Sequence, residues 1–480
     1  PLPVDLYGDE RRNAIGWDLS DPDVVNEMET ELRQVCMHSW QAAARIGGHD
    51  RRGESVALLN PADSAHAVGR VCEADRQDVE RALALAADAA LPWDAAGGYK
   101  RATILLTAAD RFEEKAPELI ARVIREGGRT LRDAIAEVRE AVDFCRYYAL
   151  QAKQEFERPR SLPGPTGEKN ELQLHGRGVF ACISPWNFPL AIFVGQIAAA
   201  LAAGNSVLAK PARQTPLTGY HTICLLHEAG VPADVLHFLP GSGAAIGAQI
   251  LPDRRLSGVA FTGSTDTAWK IQRALADRQG AIVPLIAETG GQNVMIADSS
   301  ALPEQLVVDV LQSAFNSAGQ RCSALRVLFV QNEIAARVIR LLAAAMQEIQ
   351  IGDPLLLASD VGPLIDQDAA RSLQPHVARL QREARLLQRV DPPQNLQAGC
   401  FFPLQAFELE SLALLEKEVF GPVLHVVRYR ADKLEQVIDA VNNTGYGLTL
   451  GVHSRIEETW LRVQARARVG NLYINRNMIG

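Results

Sequence analysis

The sequence predicts an α/β protein built on two doubly wound parallel sheets, and three observations favour this class. Five short apolar or β-branched runs begin at residues 179, 206, 234, 258 and 282, at intervals of 24 to 28 residues. The intervals hold stretches with helical periodicity, which is typical of repeated βαβ units. A second alternation of helices and strands follows residue 288, and 480 residues are enough for two domains.

The N-terminal part predicts three helices, over residues 76–90, 101–128 and 130–155, because apolar residues recur there every three or four positions. Proline, glycine and charged residues then concentrate in residues 157–171. This composition predicts a protruding hairpin near residues 155–175.

The strand and helix patterns indicate how the domains divide. We expect N-terminal helices and a dinucleotide-binding domain over residues 1–287, and a second α/β domain over residues 288–470. Residues 471–480 are expected to form a return strand. The cleft between two such domains is the default ligand site.

Composition narrows the classes of function. The formal charge is −8, from 49 basic and 57 acidic residues without a basic cluster, so nothing predicts a nucleic-acid surface and small molecules are the expected ligands. Seven cysteines without a CxxC spacing argue against a disulfide framework and a zinc site, and favour a reducing cytoplasm. The chain lacks an initiator methionine and an apolar leader, so we expect a piece of a longer protein.

The most apolar stretch covers residues 188–204. Gly195 and Gln196 interrupt it, and no basic anchors flank it, so it predicts a buried helix rather than a membrane span.

Three turns after predicted strands carry the candidate nucleotide contacts, because a doubly wound sheet binds nucleotides at the carboxyl ends of its strands. In "FTGST", Gly263 and Ser264 open a helix whose free N–H groups can hold a phosphate. In "AKPARQTP", Lys210 can reach ribose or phosphate oxygens, the alternative being a solvated surface lysine. "GSGAAIG" at residues 241–247 resembles a dinucleotide fingerprint, although close packing of a helix on a strand explains it equally well.

Cys322 and Glu288 are the candidate chemical groups. Cys322 lies in a small, polar stretch, "NSAGQRCSA", that suits a reactive thiol, the alternative being a structural cysteine. Glu288 is expected to end a buried strand just before "TGG", where a carboxylate suits general-base catalysis; the alternative is a capping or salt-bridged glutamate. The sequence contains no GxSxG, Walker or HExxH motif.

Six motifs occurring together resemble the aldehyde dehydrogenase superfamily: "ISPWNFP", "AKPA-x-QTP", "FTGST", "ETGGQN", "NSAGQRCSA" and "EVFGPV". Within it the chain looks most similar to L-glutamate γ-semialdehyde (1-pyrroline-5-carboxylate) dehydrogenases and to the C-terminal region of bifunctional proline utilisation A proteins. The stretches "DLYGDERRNAIGWDLSD", "CSALRVL" and "GNLYINRNMIG" carry this closer resemblance.

The resemblance implies oxidation of glutamate γ-semialdehyde to glutamate in proline catabolism. Cys322 would attack the aldehyde, and the Asn187 amide with the Cys322 N–H would hold the oxyanion. Loss of hydride to the nicotinamide would leave a thioester, which Glu288 would hydrolyse by activating water. The alternatives are a dehydrogenase for another aliphatic aldehyde and a catalytically idle protein on the same scaffold.

The resemblance also implies the binding residues. The cofactor set is Ile183, Trp186, Lys210, Gly263, Ser264, Glu418 and Phe420, and the substrate set is Phe188 and Ser323. NAD is the expected cofactor. Arg213 stands where many relatives carry an acidic residue that binds the adenosine ribose, and an arginine there would suit the 2′-phosphate of NADP.

The resemblance also implies a parent protein, an oligomeric state and a further C-terminal segment. A proline dehydrogenase domain is expected to precede this region in a longer parent protein, whose association with a membrane the sequence leaves open. The protruding hairpin is expected to support a homo-oligomer. The chain stops at Gly480, before the family's downstream glycine- and serine-rich loop, which suggests truncation.

Overall fold

The fold, taken from a computed structural model, is described for residues 2–479. Gly480, where the sequence suggests truncation, lies outside the described residues. The chain forms two compact units. Unit 1 comprises Pro1–Asn60, Ala65–Gly127 and Leu131–Glu288, and unit 2 comprises Pro61–Ser64, Gly128–Thr130 and Thr289–Gly480.

The elements follow the predicted alternation of helices and strands. The helices are α1 Pro22–Cys36, α2 Arg76–Ala95, α3 Gly98–Glu114, α4 Ala116–Gly127, α5 Leu131–Glu155, α6 Ala191–Ala202, α7 Pro216–Glu228, α8 Gly243–Ile250, α9 Thr265–Ala276, α10 Pro303–Phe315, α11 Asn332–Gln347, α12 Gln367–Glu383, α13 Leu434–Asn442 and α14 Glu457–Arg466. The strands are β1 Trp40–Ala43, β2 Arg45–Ile46, β3 His49–Asp50, β4 Val56–Asn60, β5 Asp63–Cys72, β6 Arg160–Leu162, β7 Asn170–Leu172, β8 Val179–Ile183, β9 Ser206–Lys210, β10 Leu236–Phe238, β11 Leu256–Gly263, β12 Leu285–Thr289, β13 Asn293–Ala297, β14 Leu325–Gln331, β15 Arg385–Val390, β16 Leu404–Leu409, β17 Val423–Tyr429, β18 Thr449–His453 and β19 Asn471–Ile474.

The main sheet of unit 1 has the strand order β12-β11-β8-β9-β10-β2-β3. Strands β11, β8, β9 and β10 run parallel, and β2 joins β10 antiparallel. Strands β8, β9 and β10 are almost wholly buried, as expected where helices cover both faces of a parallel sheet. The smaller sheets are β1-β5-β4 and the exposed antiparallel hairpin β6-β7.

The main sheet of unit 2 has the strand order β15-β16-β17-β14-β13-β18-β19. Its pairings are parallel except for β15 with β16. All the residues of β13, β14 and β18 are buried. The predicted class, two doubly wound parallel sheets, is therefore confirmed.

Two buried glutamates hold helices that begin after the motif turns of unit 1. The Glu126 carboxylate of α4 accepts hydrogen bonds from the N–H groups of Leu217 (2.6 Å) and Thr218 (2.8 Å) at the start of α7. Glu137 of α5 does the same for Leu190 (3.1 Å) and Ala191 (3.4 Å) at the start of α6. Neither helix has a side-chain N-cap of its own, so these carboxylates satisfy otherwise orphaned donors. Burial raises the pKa of Glu126 to about 7.

Most of the predicted elements are present, although several have other bounds: the return strand expected over residues 471–480, for example, is the shorter β19, Asn471–Ile474. The helix predicted over residues 101–128 is broken into α3 and α4, because Pro117 lacks the N–H that would continue the first helix. The strand predicted from Ile282 begins only at Leu285, and the Ile282 side chain is 93% exposed. The stretch at residues 188–204 forms the buried helix α6, as predicted. Within residues 2–479, no helix is both long and apolar enough to cross a membrane.

Candidate active site

The parallel strands of unit 1 place three of the motif turns at one edge of the sheet. Ile183, the last residue of β8, stands in register with Lys210 of β9 and with Phe261 of β11. The loop 184–190, the Lys210 turn and the turn at Gly263 therefore emerge side by side, as strand-end turns of a doubly wound sheet do.

Gln196 of α6 ties two of these turns together. Its side-chain oxygen accepts a hydrogen bond from Ser184 Oγ (2.8 Å), and its Nε2 donates to Thr262 Oγ1 (3.0 Å) and to the Ile183 carbonyl (3.4 Å). Within loop 184–190, Asn187 is only 5% exposed, and a buried side-chain amide is a fixed donor.

Lys210 is buried, contrary to the surface-lysine alternative. Its side chain is 4% exposed, and Nζ donates to the Pro211 carbonyl at 2.6 Å. Burial lowers the pKa of Lys210 to about 8, opposed by the charge of Glu73, so the ammonium is mainly protonated at neutral pH. A buried ammonium with spare donors fits the oxygens of a ribose or phosphate.

The start of α9 is exposed and holds a cap of its own. Ser264 is the N-cap residue, and its Oγ accepts from the Thr267 N–H at 3.3 Å. Gly263 ends β11 directly before it. The remaining N–H groups of the first helical turn suit an anion such as a pyrophosphate.

Glu288 departs from its expected setting. It lies on β12, an edge strand of the unit 1 sheet, and its side chain is exposed, so the prediction that it ends a buried strand is wrong. An edge strand pairs on one side only, and β12 leaves its three central residues exposed. An exposed carboxylate remains open to water, which it would activate as a general base.

In unit 2, the loop carrying Cys322 is strained. We call residues 316–324 the nucleophile loop. Three consecutive residues in it, Ser317, Ala318 and Gly319, have φ values of 56°, 54° and 68°. Left-handed backbone at a residue other than glycine costs about 1–3 kcal/mol and persists only where the surroundings enforce it.

Side chains on both sides of Cys322 enforce this backbone. Gln320 donates to the Pro363 carbonyl (3.2 Å) and accepts from the Ile365 N–H (2.9 Å). Asn293, at the start of β13, donates through Nδ2 to the carbonyls of Cys322 (2.6 Å) and Ala324 (3.0 Å). The peptide groups around the thiol are therefore fixed before any ligand binds.

Arg326 links the nucleophile loop to the "EVFGPV" segment. Its guanidinium is fully buried and donates to the carbonyls of Gly319 (2.6 Å) and Arg321 (2.9 Å). It also donates to Glu418 Oε1 at 3.2 Å and stacks 5.2 Å from the centre of the Phe420 ring. One side chain thus joins Glu418 and Phe420 to the backbone beside Cys322.

The Glu418 carboxylate lies close to Gly290, a residue of the same unit. A Cβ at Gly290 would collide with the Glu418 carboxylate, so only glycine allows this approach. Glu418 and Phe420 border a cavity of 510 Å³, with Arg379 and His376 of α12 also in its wall. The cavity and its mixed polar and aromatic lining fit part of a small-molecule cofactor.

Cys322 is partly exposed, and Ser323 beside it is also partly exposed. Burial raises the pKa of the Cys322 thiol, and the Glu418 charge adds to this, while the Ser323 N–H and Arg326 lower it. The thiol is therefore protonated at neutral pH in the absence of a ligand, and it must lose its proton when it reacts.

We expect Arg326→Met to move the alkylation of Cys322 by iodoacetamide to higher pH. The physical reason is that this substitution removes the positive charge that lowers the Cys322 pKa. Arg326→Lys keeps the charge and should shift the profile less. Mass spectrometry of the Cys322 peptide measures the midpoint, with Cys36 alkylation in the same sample as the internal control. An unchanged midpoint in folded Arg326→Met would contradict the role given to this charge.

Sequence reasoning missed several residues that hold the site. Asn293 and Arg326 lie inside motifs quoted for the resemblance, "ETGGQN" and "CSALRVL", and their polar side chains in apolar strands were the available signal. Gln196 was visible as a polar interruption of an apolar helix. Within the part of the chain that the structure describes, no cluster of three or more His, Cys, Asp or Glu is placed to hold a metal ion.

Comparisons with known proteins agree with the resemblance. A family model described as "Aldehyde dehydrogenase family" matches residues 49–480. The "Bifunctional protein PutA" of Salmonella typhimurium is 49% identical over 100% of this chain, which spans 36% of that relative's length. The "1-pyrroline-5-carboxylate dehydrogenase" of Geobacillus thermodenitrificans is 34% identical, with 91% of this chain and 85% of the relative covered.

Solved structures give the same result. A crystal structure of bifunctional proline utilization A superposes with a TM-score of 0.90 at 47% identity, covering 100% of this chain and 45% of that chain. The 1-pyrroline-5-carboxylate dehydrogenase from Thermus with bound NAD superposes with a TM-score of 0.91 at 30% identity, covering 97% of this chain and 91% of that chain.

Proposed function

The chain belongs to the aldehyde dehydrogenase family, and on that premise we propose that it oxidises L-glutamate γ-semialdehyde to L-glutamate with reduction of NAD. The observation that carries the chemistry is the fixed nucleophile loop, in which Asn293, Gln320 and Arg326 hold the backbone around a partly exposed Cys322. The choice of substrate is supported by the similarity to a 1-pyrroline-5-carboxylate dehydrogenase along 85% of that relative's length.

Cys322 begins the reaction in this proposal. Its sulfur attacks the aldehyde carbon, the thiol proton leaves to water, and the anion of a thiohemiacetal forms. The developing oxyanion accepts hydrogen bonds from the side-chain amide of Asn187 and the backbone N–H of Cys322. Phe188 contacts the aliphatic stem of the substrate, and Ser323 binds its amino-acid end.

Glu288 completes the cycle. NAD, when bound, accepts the hydride whose loss turns the thiohemiacetal into a thioester. The Glu288 carboxylate then takes a proton from water as the water oxygen attacks the thioester carbon. The C–S bond breaks, and Glu288 returns the proton to the departing sulfur, which regenerates the Cys322 thiol. Glu288 is exposed, which supports access of water to it.

The residues of each unit fit a dinucleotide. In unit 1, the buried Lys210 ammonium suits the adenosine ribose, and the exposed helix start after Gly263 and Ser264 suits the pyrophosphate. In unit 2, Glu418 and Phe420 suit the nicotinamide ribose. Ile183 and Trp186 complete the proposed set of cofactor residues. NAD is favoured because a neighbouring structure holds it, with NADP as the alternative raised by Arg213.

The wider context is also a proposal. The PutA relatives are named as bifunctional, which supports a proline dehydrogenase domain in the parent protein. The exposed β6-β7 hairpin supports a homo-oligomer, since its strands bury little within the chain. A cytoplasmic location rests on the seven cysteines, none of them disulfide-bonded.

The test follows the absorbance of NADH and NADPH with glutamate γ-semialdehyde and with propanal as substrates. We expect NAD reduction with a kcat/KM for the semialdehyde at least about tenfold above that for propanal, because a site that holds the amino-acid end rejects analogues lacking it.

The other outcomes separate the alternatives. Equal or better activity with propanal would make the protein a dehydrogenase for simple aliphatic aldehydes. A folded protein that binds NAD but reduces it with neither aldehyde would favour the idle scaffold and overturn the proposed activity.

A further inference from the structure

Position 213 lacks an acidic residue, but a carboxylate from another element lies beside it. Glu73, directly after β5, places Oε1 3.5 Å from Arg213 Nε. Glu73 also acts on the buried Lys210, whose positive charge it favours. Glu73, Lys210 and Arg213 all belong to unit 1, and the charge of Glu73 acts on both cations.

The backbone fixes the position of Glu73. The next residue, Ala74, donates its N–H to the Pro240 carbonyl at 2.9 Å. Asp75 then caps α2, accepting from Gln77 and Asp78. The Glu73 side chain lies against Gly241, where an added Cβ would contact it at 3.5 Å. The backbone at Glu73 is therefore held by hydrogen bonds and by a helix cap, and this places its side chain beside Arg213.

The net charge of Glu73, Lys210 and Arg213 determines whether the site favours a ribose with a free 2′-hydroxyl or one with a 2′-phosphate. Two cations without Glu73 would attract a 2′-phosphate, which carries about −1.5 to −2 charges at pH 7. With Glu73 present, the net charge of the three groups falls from +2 to +1, and the negative charge beside Arg213 opposes the binding of a phosphate there. A ribose 2′-hydroxyl is neutral and can donate to a carboxylate.

We propose that Glu73 is a specificity-determining residue that replaces the acidic group missing at position 213, engages Arg213, and directs the site towards NAD rather than NADP. This inference rests on the proposed function, because it requires the adenosine ribose to bind at Lys210. The side chains of Glu73 and Arg213 are 31% and 66% exposed, so the effect is electrostatic and sensitive to salt.

Calorimetric titration of the protein with NAD and with NADP tests the proposal without turnover. We expect tighter binding of NAD by the wild type. Glu73→Gln should shift the ratio of the two dissociation constants about fivefold to tenfold towards NADP, and about 0.5 M salt should reduce this shift. The double variant Glu73→Gln/Arg213→Gln should not show this shift towards NADP, because in the single variant the unpaired Arg213 is the group that binds the phosphate.

Glu80→Gln is the matched control, since it makes the same chemical change at an exposed glutamate of α2 that pairs with Arg255. It should leave the ratio unchanged. Tighter binding of NADP than of NAD by the wild type would overturn this inference and leave the proposed activity intact. The same holds if the ratio of the NAD and NADP dissociation constants in Glu73→Gln lies within about twofold of the wild-type ratio. Binding of neither dinucleotide overturns the inference together with the proposed cofactor.

Discussion

Cys322→Ser is expected to lower kcat by about 10⁴-fold or more, to the background of the assay. A serine hydroxyl is close in size to the thiol, so the held backbone of the nucleophile loop should persist. The hydroxyl is far less acidic and less nucleophilic, and Glu288 belongs to the later hydrolysis, so no base is assigned to activate it. Without the covalent adduct, neither the thiohemiacetal nor the thioester can form.

The measurement compares single-turnover and steady-state rates of the variant with those of Cys36→Ala, which removes a partly exposed cysteine of α1. Calorimetric binding of NAD and the thermal unfolding midpoint should remain close to those of the wild type. More than about one-hundredth of the wild-type kcat in purified Cys322→Ser would show that the reaction does not pass through this sulfur.

Glu288→Gln is expected to slow steady-state turnover by about 10²- to 10⁴-fold while sparing the first turnover. The amide cannot take a proton from water, so the thioester should accumulate after one round of oxidation. Rapid mixing should then show a burst of NADH close to one per Cys322, followed by a slow phase. Intact-protein mass spectrometry should detect the acylated cysteine during the slow phase.

Glu80→Gln again serves as the control and should show wild-type steady-state rates. Loss of the burst itself in Glu288→Gln would mean that the carboxylate acts earlier, in deprotonating the Cys322 thiol. That outcome would contradict the hydrolytic role, and the raised pKa of Cys322 identifies the step at which such a base would be needed.

The elements that a local apolar pattern marks could be predicted from the sequence. Strands β8 and β9 begin and end where their apolar runs do, since a fully buried parallel strand needs a continuous apolar run. Pro117 was a signal in the sequence for the break between α3 and α4. Because helical periodicity continues on both sides of it, one long helix was predicted instead. The prediction for Glu288 failed because the run from Ile282 is apolar without being buried.

The residues that hold the candidate site could not be found by local patterns. Glu126 and Leu217 are 91 positions apart, and Asn293 and Cys322 are 29 apart, so no periodicity connects them. The left-handed backbone at Ser317 and Ala318 is equally invisible, because neither residue type signals a positive φ. Motif resemblance located Cys322, Glu288 and the cofactor residues, and their roles stay predictions.

The two buried glutamate caps restrict how this protein can be recombined with its relatives. Glu126 and Glu137 tether α7 and α6, which follow the motif turns, to α4 and α5, elements from an earlier part of the chain. A chimera that imports only the segment 179–228 would separate each turn from its own anchoring carboxylate. Breakpoints placed before α4 keep turn and anchor together, so a block of residues 116–228 transfers both caps with the helices that they hold.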